Sequence, residues 1–341
     1  MKLNFEAIKA MTSGAASVTE SESGISFSRF PEEQSLYYKN ERGPESYVRS
    51  ISSSGIRISF RTDSRSLRIT GSVVAASSRK YYSIDVKRDG ELIGCIDNIG
   101  RAELEGDYAG TDLPLCDFSG ELDLGEGMKE IVIYLPWSVG VTVTSLELDD
   151  GAVAEPVRRS RTLLAYGDSI TQGYDARRPS NCYVARLADL LGAEEHNRGI
   201  GGEIFAPRLA ELSDDLHPDF VTVAYGTNDW SREGECGFRD RARAFYLTLS
   251  RRYPDALIFA IGPIWRADCD EERGFGPFTL IGRYISEVVA DLPNVRYISG
   301  DRLVPHDTGL YGDLRLHPSD EGFACYADRL YAEIQKHLSD R

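Results

Sequence analysis

The sequence has no long apolar run and no basic leader segment. No stretch approaches the roughly 20 consecutive apolar residues that a membrane-spanning helix needs, so we expect no membrane partner. Residues 1–8 do not combine a basic segment with a continuous apolar stretch, which is the pattern of a secretory signal peptide. We therefore expect a cytoplasmic protein.

Cysteine and histidine are scarce and carry no metal-binding pattern. The chain has six cysteines and five histidines, without C-x-x-C pairs, finger spacing or H-x-x-x-H. Scattered thiols are usually reduced in cytosolic proteins, so we expect no disulfide. Zinc sites need closely spaced ligands, so we also expect no metal and no cofactor. The cysteines are Cys95, Cys116, Cys182, Cys236, Cys269 and Cys325.

Positive charge is in deficit. The formal net charge is −15 and the pI is near 4.9, and long-range repulsion from such a chain opposes binding to nucleic acid or to an anionic membrane. A small-molecule or oligosaccharide partner suits this charge better. The length of 341 residues exceeds one usual domain, so we expect two. Homo-oligomer formation stays open.

Short alternating segments dominate the chain from residue 24 to residue 150. Their period of two places one face of each strand toward a core and the other toward water. Many such strands with little helix indicate an antiparallel β-sandwich. One short helix is expected at residues 5–11. The clearest strand candidates are residues 55–60, 66–69, 82–87, 130–135 and 141–148.

The rhythm changes after a charged stretch, residues 149–161, which has the composition of a domain boundary. We place the two domains at residues 1–155 and 156–341. In the second domain, apolar strand candidates alternate with helical patterns, which predicts βαβ units and a parallel sheet covered on both faces. The strand candidates are residues 163–166, 220–225, 257–261 and 295–298.

A Gly-Asp-Ser turn, Gly167 to Ser169, directly follows the first of these strands. It places a serine hydroxyl where a buried strand gives way to a helix, with backbone N–H groups beside it. Later segments at residues 197–203, 225–229 and 316–320 follow other strands or lie late in the chain. Ligands of parallel sheets bind beyond the carboxyl ends of the strands. We therefore expect these segments to converge on one site.

In order, these segments resemble the four sequence blocks of the SGNH (GDSL-type) hydrolases. The resemblance covers about residues 160–338 and implies a flavodoxin-like, three-layer α/β domain. It also implies a serine nucleophile at Ser169, a general base at His317, and oxyanion donors from the Ser169 and Gly202 backbone and the Asn228 side chain. Gly202 is preferred among the neighbouring glycines because an acidic residue, Glu203, follows it.

The late block departs from the family pattern. The family commonly has an aspartate three residues before the histidine, where this chain has Leu314; the nearest acid, Asp313, lies four before. In an extended segment this difference would move the carboxylate to the opposite face. Two interpretations stay open: Asp313 completes a triad with His317, or a backbone carbonyl orients His317 in a Ser–His dyad.

The two-domain layout resembles carbohydrate esterases in which a jelly-roll domain precedes the hydrolase. This predicts removal of O-acetyl groups from a sugar or oligosaccharide. Trp230 and Trp265 lie at the predicted catalytic edge, where aromatic faces suit sugar rings or acyl chains. The alternatives are a general short-chain acyl esterase or lipase, an acetyltransferase, and an inactive glycan-binding protein.

Overall fold

A computed structural model describes residues 1–100, 104, 107–212, 214–232 and 235–338, with only the backbone of Glu235 and Cys236. The strands are β1 Thr12–Ser13, β2 Ser17–Ser21, β3 Gly24–Ser28, β4 Arg57–Thr62, β5 Ser66–Ala75, β6 Ser83–Arg88, β7 Glu91–Asp97, β8 Phe118–Asp123, β9 Lys129–Tyr134, β10 Val139–Leu148, β11 Glu155–Pro156, β12 Arg161–Gly167, β13 Ala193–Gly199, β14 Phe220–Ala224, β15 Leu257–Ile261 and β16 Val295–Ile298. The helices are α1 Phe5–Met11, α2 Glu32–Tyr37, α3 Pro44–Ser50, α4 Ser169–Gln172, α5 Tyr183–Leu191, α6 Pro207–Glu211, α7 Glu235–Arg252, α8 Thr279–Val289 and α9 Asp320–Leu338.

Two antiparallel sheets form a sandwich in the first half of the chain. One has the order β1-β4-β9-β6-β7, with β11 also paired to β4, and the other has the order β2-β3-β10-β5-β8. Alternate apolar residues of both sheets fill the space between them, including Phe60, Ile69 and Ile133. The predicted sandwich is confirmed. Its jelly-roll topology stays a prediction.

Local turn chemistry sets the hairpin between β6 and β7. Asp89 and Gly90 both have positive φ, 49° and 88°. Two consecutive residues of this kind match the twist of the flanking strands, and aspartate followed by glycine tolerates them well. The antiparallel pairing of β6 with β7 closes on this turn.

Sequence patterns missed the helices α2 and α3 and the π-helical turn Tyr38–Arg42 between them. Each element spans at most seven residues, which is too short for helical periodicity to show. Prolines mark the starts of both α-helices, Pro31 at the N-cap of α2 and Pro44 inside α3.

The second half contains a parallel sheet with the order β13-β12-β14-β15-β16. This is the flavodoxin-like order, in which ligands bind at the carboxyl ends of the strands. Helices α5 and α9 cover one face, where Phe323 and Leu330 are fully buried, and α6, α7 and α8 cover the other. The predicted three-layer α/β fold is confirmed.

The two halves share hydrophobic packing. Tyr81, Tyr134 and Trp137 of the sandwich belong to the same buried cluster as Val184 and Leu187 of α5. Strand β11 still pairs with the sandwich, and the parallel sheet begins with β12. The domain limits 1–155 and 156–341 stay a prediction.

Two other expectations concern cysteines and membranes. Cys95, Cys116, Cys182, Cys269 and Cys325 are free thiols, whereas the side chain of Cys236 lies outside the described residues. Within the described part of the chain, no helix has the length and apolar character to cross a membrane.

Candidate active site

The predicted nucleophile, Ser169, lies at the turn between β12 and α4. Asp168 caps this helix, because its Oδ1 accepts the Ile170 N–H at 2.9 Å. A Cβ at Gly167 would collide with the Thr171 side chain, so glycine permits the tight approach of helix to strand. Burial raises the pKa of Asp168 to about 7, while the Ile170 N–H opposes that rise.

The structure brings His317 to Ser169. The His317 Nε2 atom lies 2.8 Å from the Ser169 Oγ atom, and His317 Nδ1 lies 2.7 Å from Asp313 Oδ2. The two residues are 148 positions apart in sequence, and the α/β topology places them at the same edge of the sheet. The serine, the imidazole and the carboxylate therefore lie in a row, each within hydrogen-bonding distance of the next, which is the arrangement that activates a serine.

Irregular backbone allows Asp313 to reach His317. Leu314 has a φ of 54°, so the chain turns sharply between the two residues. Asp313 Oδ1 accepts the N–H groups of Arg315, Leu316 and His317 at 3.0, 2.7 and 3.0 Å. The extended geometry that would separate the carboxylate from the imidazole is absent here, and Asp313 occupies the position beside Nδ1.

Electrostatics keep Asp313 ionised. Its burial would raise its pKa, but the hydrogen bond and charge of His317 and the N–H groups of Leu316 and His317 outweigh this effect. The pKa of Asp313 is therefore held well below its ordinary value. An ionised carboxylate at Nδ1 orients the ring and stabilises the imidazolium that forms when Ser169 gives up its proton.

A second carboxylate, Asp175, also faces His317 and was missed by sequence reasoning. Its Oδ2 lies 3.5 Å from His317 Nδ1, and its side chain is fully buried. Arg79 and Tyr81 of the sandwich contact the same carboxylate. Asp175 lies just after α4, but nothing in the sequence indicates that its side chain turns toward a histidine so distant along the chain.

Two backbone N–H groups are available as donors for the predicted oxyanion hole. Among the described residues, the N–H groups of Ser169 and Gly202 donate to no other protein group. Gly202 has a φ of 77°, a left-handed conformation that favours glycine. Asn228 Nδ2 donates to the Glu203 carbonyl at 3.0 Å, which holds the amide beside the loop of Gly202. The Ile200 N–H donates to the Gly167 carbonyl at 3.0 Å, so this loop adjoins the turn that carries Ser169.

Arginines from the first half of the chain fix the loop around Gly202. Arg49 Nη1 donates to the Gly201 carbonyl at 2.8 Å. Arg42 forms an ion pair with Glu203, whose side chain is fully buried. Burial raises the pKa of Glu203, and Arg42 opposes the rise. Sequence reasoning used Glu203 only as a marker of Gly202 and missed both arginines.

Trp230 does not line an open pocket, contrary to the prediction. Its side chain is 1 % exposed and its indole N–H donates to the Gly276 carbonyl at 2.7 Å. The Arg273 guanidinium lies 3.9 Å from the Trp230 ring centroid. The indole is buried and Arg273 covers its ring, so Trp230 supports the loops at this edge.

Trp265 lines a cleft of about 750 Å³. Its ring stacks on His306 with 5.2 Å between centroids and 15° between planes. The Trp265 carbonyl accepts the Tyr311 hydroxyl at 2.8 Å, which ties this cleft to the loop that carries His317. His306 Nε2 lies 2.9 Å from the Asp301 carbonyl oxygen. The cleft is also lined by Asp270, Glu271, Glu272, Arg273 and Phe278.

Asp175, Asp313 and His317 are also a group whose ligand atoms lie within 4.8 Å of one another. A cation there would need His317 Nδ1 as a ligand, so the Nδ1 proton shared with the carboxylates would have to leave. Arg79 already neutralises Asp175. The contacts around these three residues fit a proton between imidazole and carboxylate better than a metal ion.

Comparisons with known proteins concern the family and the fold of this chain. Residues 165–325 match the family described as GDSL-like Lipase/Acylhydrolase. A search of curated protein sequences finds no match for this chain. Among solved structures, the salicylyl-acyltransferase SsfX3 from a tetracycline biosynthetic pathway is 21% identical, with a TM-score of 0.78, and the alignment covers 95% of this chain and 94% of that one.

Two carbohydrate esterases share the fold. A family two carbohydrate esterase from Clostridium thermocellum, in complex with cellohexaose, is 20% identical with a TM-score of 0.63, covering 84% of this chain and 94% of its own. An acetyl xylan esterase from Butyrivibrio proteoclasticus is 16% identical with a TM-score of 0.61, covering 99% and 98%. At such identities the likeness establishes the fold. The sequence match of residues 165–325 places this segment in the GDSL-like lipase/acylhydrolase family, and the protein is an ester hydrolase.

Proposed function

We propose that this ester hydrolase removes O-acetyl groups from a carbohydrate through an acyl-enzyme at Ser169. The observation that carries the proposal is the line from Ser169 Oγ through His317 to Asp313, with distances of 2.8 and 2.7 Å. The N–H groups of Ser169 and Gly202, which donate to no group among the described residues, follow the adjacent parallel strands β12 and β13. A nucleophile, a base and oxyanion donors are the parts that acyl transfer requires.

In the first half-reaction, Ser169 Oγ bonds to the ester carbonyl carbon and its proton passes to His317 Nε2. The carbonyl oxygen becomes an oxyanion, which accepts hydrogen bonds from the Ser169 and Gly202 N–H groups and the Asn228 amide. Asp313 stabilises the imidazolium through Nδ1–H. Collapse of the intermediate breaks the bond to the sugar oxygen, which takes the proton from Nε2 and leaves as a hydroxyl.

Water completes the second half-reaction. His317 Nε2 takes a proton from the water while the water oxygen bonds to the acyl carbon. The second tetrahedral intermediate then breaks the bond to Ser169 Oγ, which regains its proton. One ester and one water become one alcohol and one carboxylic acid. Asp313 stays ionised throughout, as its depressed pKa favours.

The cleft beside the His317 loop supports a carbohydrate substrate. Trp265 and His306 offer a stacked aromatic platform, and the rim carries Asp270, Glu271 and Asp301. Aromatic faces bind the apolar faces of sugar rings, and carboxylates accept hydrogen bonds from sugar hydroxyls. The acetyl group is supported by the acetyl xylan esterase that shares the fold.

Acyl transfer is the second candidate function. The acyltransferase SsfX3 shares the fold over 95% of this chain. The chemistry of the two functions differs only in the second half-reaction, in which an acceptor hydroxyl replaces water at the acyl-enzyme. The Trp265 cleft would then hold the acceptor.

The proposed function is tested with a series of acyl esters of increasing chain length and an acetylated xylo-oligosaccharide, following release of the acid. We expect turnover that falls steeply beyond acetyl, because an acetyl pocket excludes longer chains. Ser169→Ala should lose nearly all turnover, because the substitution removes the nucleophile. Ser23→Ala, which changes a serine in an exposed turn, is the matched control.

Each other outcome supports a different assignment. A preference for longer chains would indicate a general esterase or lipase. Faster loss of substrate when an alcohol acceptor is added, with a new ester as product, would indicate a transferase. Turnover by Ser169→Ala equal to that of the wild type would refute the acyl-enzyme at Ser169. Binding of the oligosaccharide without any turnover would favour the glycan-binding interpretation.

A separate variant tests the carbohydrate. Trp265→Ala should raise KM for the acetylated oligosaccharide about fivefold, since loss of one stacking contact is worth roughly 1 kcal/mol. The KM for a small aryl acetate should not change, because this ester has no sugar to place on the platform. Equal effects on both esters would argue against a sugar-binding role for Trp265.

A further inference from the structure

The Nδ1 side of His317 faces two carboxylates. Asp313 Oδ2 lies 2.7 Å away and Asp175 Oδ2 lies 3.5 Å away. Asp175 has a φ of 69°, a left-handed conformation that aspartate adopts more readily than most residues. Its side chain is fully buried. A buried carboxylate needs compensation, and one imidazole cannot supply it for two carboxylates.

Compensation comes from the sandwich. Arg79 Nε and Nη2 lie 2.5 and 3.0 Å from the two oxygens of Asp175, a bidentate pair. Tyr81 donates its hydroxyl to Asp175 Oδ1 at 3.0 Å. Burial would lower the pKa of Arg79, but the hydrogen bond and charge of Asp175 hold it above its ordinary value. Arg79 also lies 5.3 Å from the ring of Tyr174, which packs on His317.

We propose that Asp175 is a second acceptor for the Nδ1–H of His317, and that Arg79 balances its charge. The two side chains act as positioning residues, and the sandwich half thereby sets the protonation behaviour of the histidine. The inference rests on the proposed function, in which His317 is the general base.

The charge balance has a direct chemical consequence. Two uncompensated carboxylates would stabilise the imidazolium, and an imidazolium cannot accept the proton of Ser169. With Arg79 present, Asp175 forms a neutral pair and Asp313 remains the net charge that faces Nδ1. The other groups around the His317 imidazole are Ser169 at Nε2, the ring of Tyr174, and Asp168, which precedes Ser169.

Arg79→Gln tests the charge balance. Removing the cation favours the protonated ring, so the acidic limb of the kcat/KM profile should move to higher pH, by about one pH unit. Arg79→Lys restores the charge and should return the limb toward that of the wild type. The matched control is Arg57→Gln, because Arg57 is another buried sandwich arginine that pairs with hydrolase carboxylates, Asp189 and Glu195.

Asparagine variants test the shared acceptor. Asp313→Asn should lower kcat by only about 10–10²-fold, because Asp175 still accepts the Nδ1–H of His317. The double variant Asp313→Asn, Asp175→Asn should lower kcat by nearly the about 10⁴-fold that is lost when a catalytic histidine has no carboxylate partner. Asparagine tolerates the left-handed conformation of Asp175. If Asp313→Asn alone loses about 10⁴ and the second substitution changes nothing, Asp175 is not an acceptor.

A readout without turnover keeps the inference testable if a variant is inactive. The ring of His317 is titrated by NMR in ¹⁵N-histidine-labelled protein, with His317→Asn used to assign its signals. An identical titration in wild type, Arg79→Gln and Arg57→Gln would overturn the inference. Failure of the proposed function looks different: turnover would then persist in Ser169→Ala, whatever the titration of His317.

Discussion

At the scale of residues, His317 joins parts of the chain that the sequence keeps far apart. Ser169 and His317 lie at hydrogen-bonding distance, and the Asn228 amide is held to the Glu203 carbonyl beside Gly202. The carboxylate was open between two interpretations because spacing alone cannot describe an irregular turn. The left-handed Leu314 resolves this, since it lets a residue four positions before the histidine reach Nδ1.

Asn228 offers the sharpest test of the oxyanion hole. Asn228→Ala should lower kcat by about 10²–10³ with little change in KM, because the amide is needed only when the oxyanion forms. The measurement is steady-state kinetics on an acetyl ester. Asn294→Ala is the control, as its buried amide also donates to backbone carbonyls but lies away from the site. A drop in kcat of equal size in both variants would contradict a special role for Asn228.

Asp168 predicts a pH dependence of stability. Burial raises its pKa to about 7, whereas an unfolded aspartate titrates near 3.9. Between these values the folded protein binds more protons than the unfolded chain, so this group makes stability fall as pH rises from about 4 to about 7. Asp168→Asn mimics the protonated acid and can still cap α4. It should remove a pH-dependent fall in the free energy of unfolding on the order of 2–4 kcal/mol.

Urea unfolding of wild type and variant at about pH 5 and about pH 8 measures this difference. Burial also raises the pKa of Asp229, to about 6, so a smaller fall of stability with rising pH should remain in Asp168→Asn. Asp123→Asn is the control, because Asp123 also accepts an N–H two residues on but is exposed. An unchanged pH dependence in Asp168→Asn would show that the carboxylate is ionised in the folded state at both pH values.

At the scale of elements, the short helices α2 and α3 and the turn between them brace the loop of the predicted oxyanion hole. Arg42 pairs with Glu203 and Arg49 holds the Gly201 carbonyl, on either side of Gly202. The Glu203 carbonyl in turn holds the Asn228 amide. Elements that belong by sequence to the sandwich half thus fix two of the three predicted donors.

Arg42→Gln is expected to lower stability by about 1–3 kcal/mol and kcat by about tenfold, because Glu203 is left buried without its partner. Arg42→Gln combined with Glu203→Gln should recover part of the stability, since no uncompensated carboxyl remains. Urea unfolding and kinetics of the single and double variants measure the coupling. Strictly additive effects would mean that the pair does not brace the loop.

At the scale of the whole molecule, one buried cluster spans both halves. Trp137 donates its indole N–H to the Ala176 carbonyl at 2.8 Å and packs on Tyr174, so a sandwich side chain supports the turn that carries Asp175. Shared packing of this kind couples the unfolding of the two halves. The cytoplasmic location and the lack of a nucleic-acid partner stay predictions from the sequence, and homo-oligomer formation stays open.

Thermal unfolding should therefore show one transition. Trp137→Ala should lower the stability of the whole molecule by about 3–5 kcal/mol, with a parallel loss of turnover. Phe60→Ala, at the fully buried core of the sandwich, should lower the midpoint of the same transition. Calorimetry of both variants measures this. Two separate transitions, with Trp137→Ala shifting only one of them, would show that the halves unfold independently.

The sequence by itself determined the sandwich and the parallel sheet, because hydrophobic periodicity is a local property of the chain. The resemblance of its short motifs to a known family implied the flavodoxin-like fold and the four blocks of the site. Helix α1 and strands β15 and β16 begin and end where periodicity placed them. Only the tertiary structure decided the partners of His317, the burial of Trp230 and the bracing by Arg42, Arg49 and Arg79. These depend on contacts between residues far apart in sequence, and no local pattern records which side chains a fold brings together.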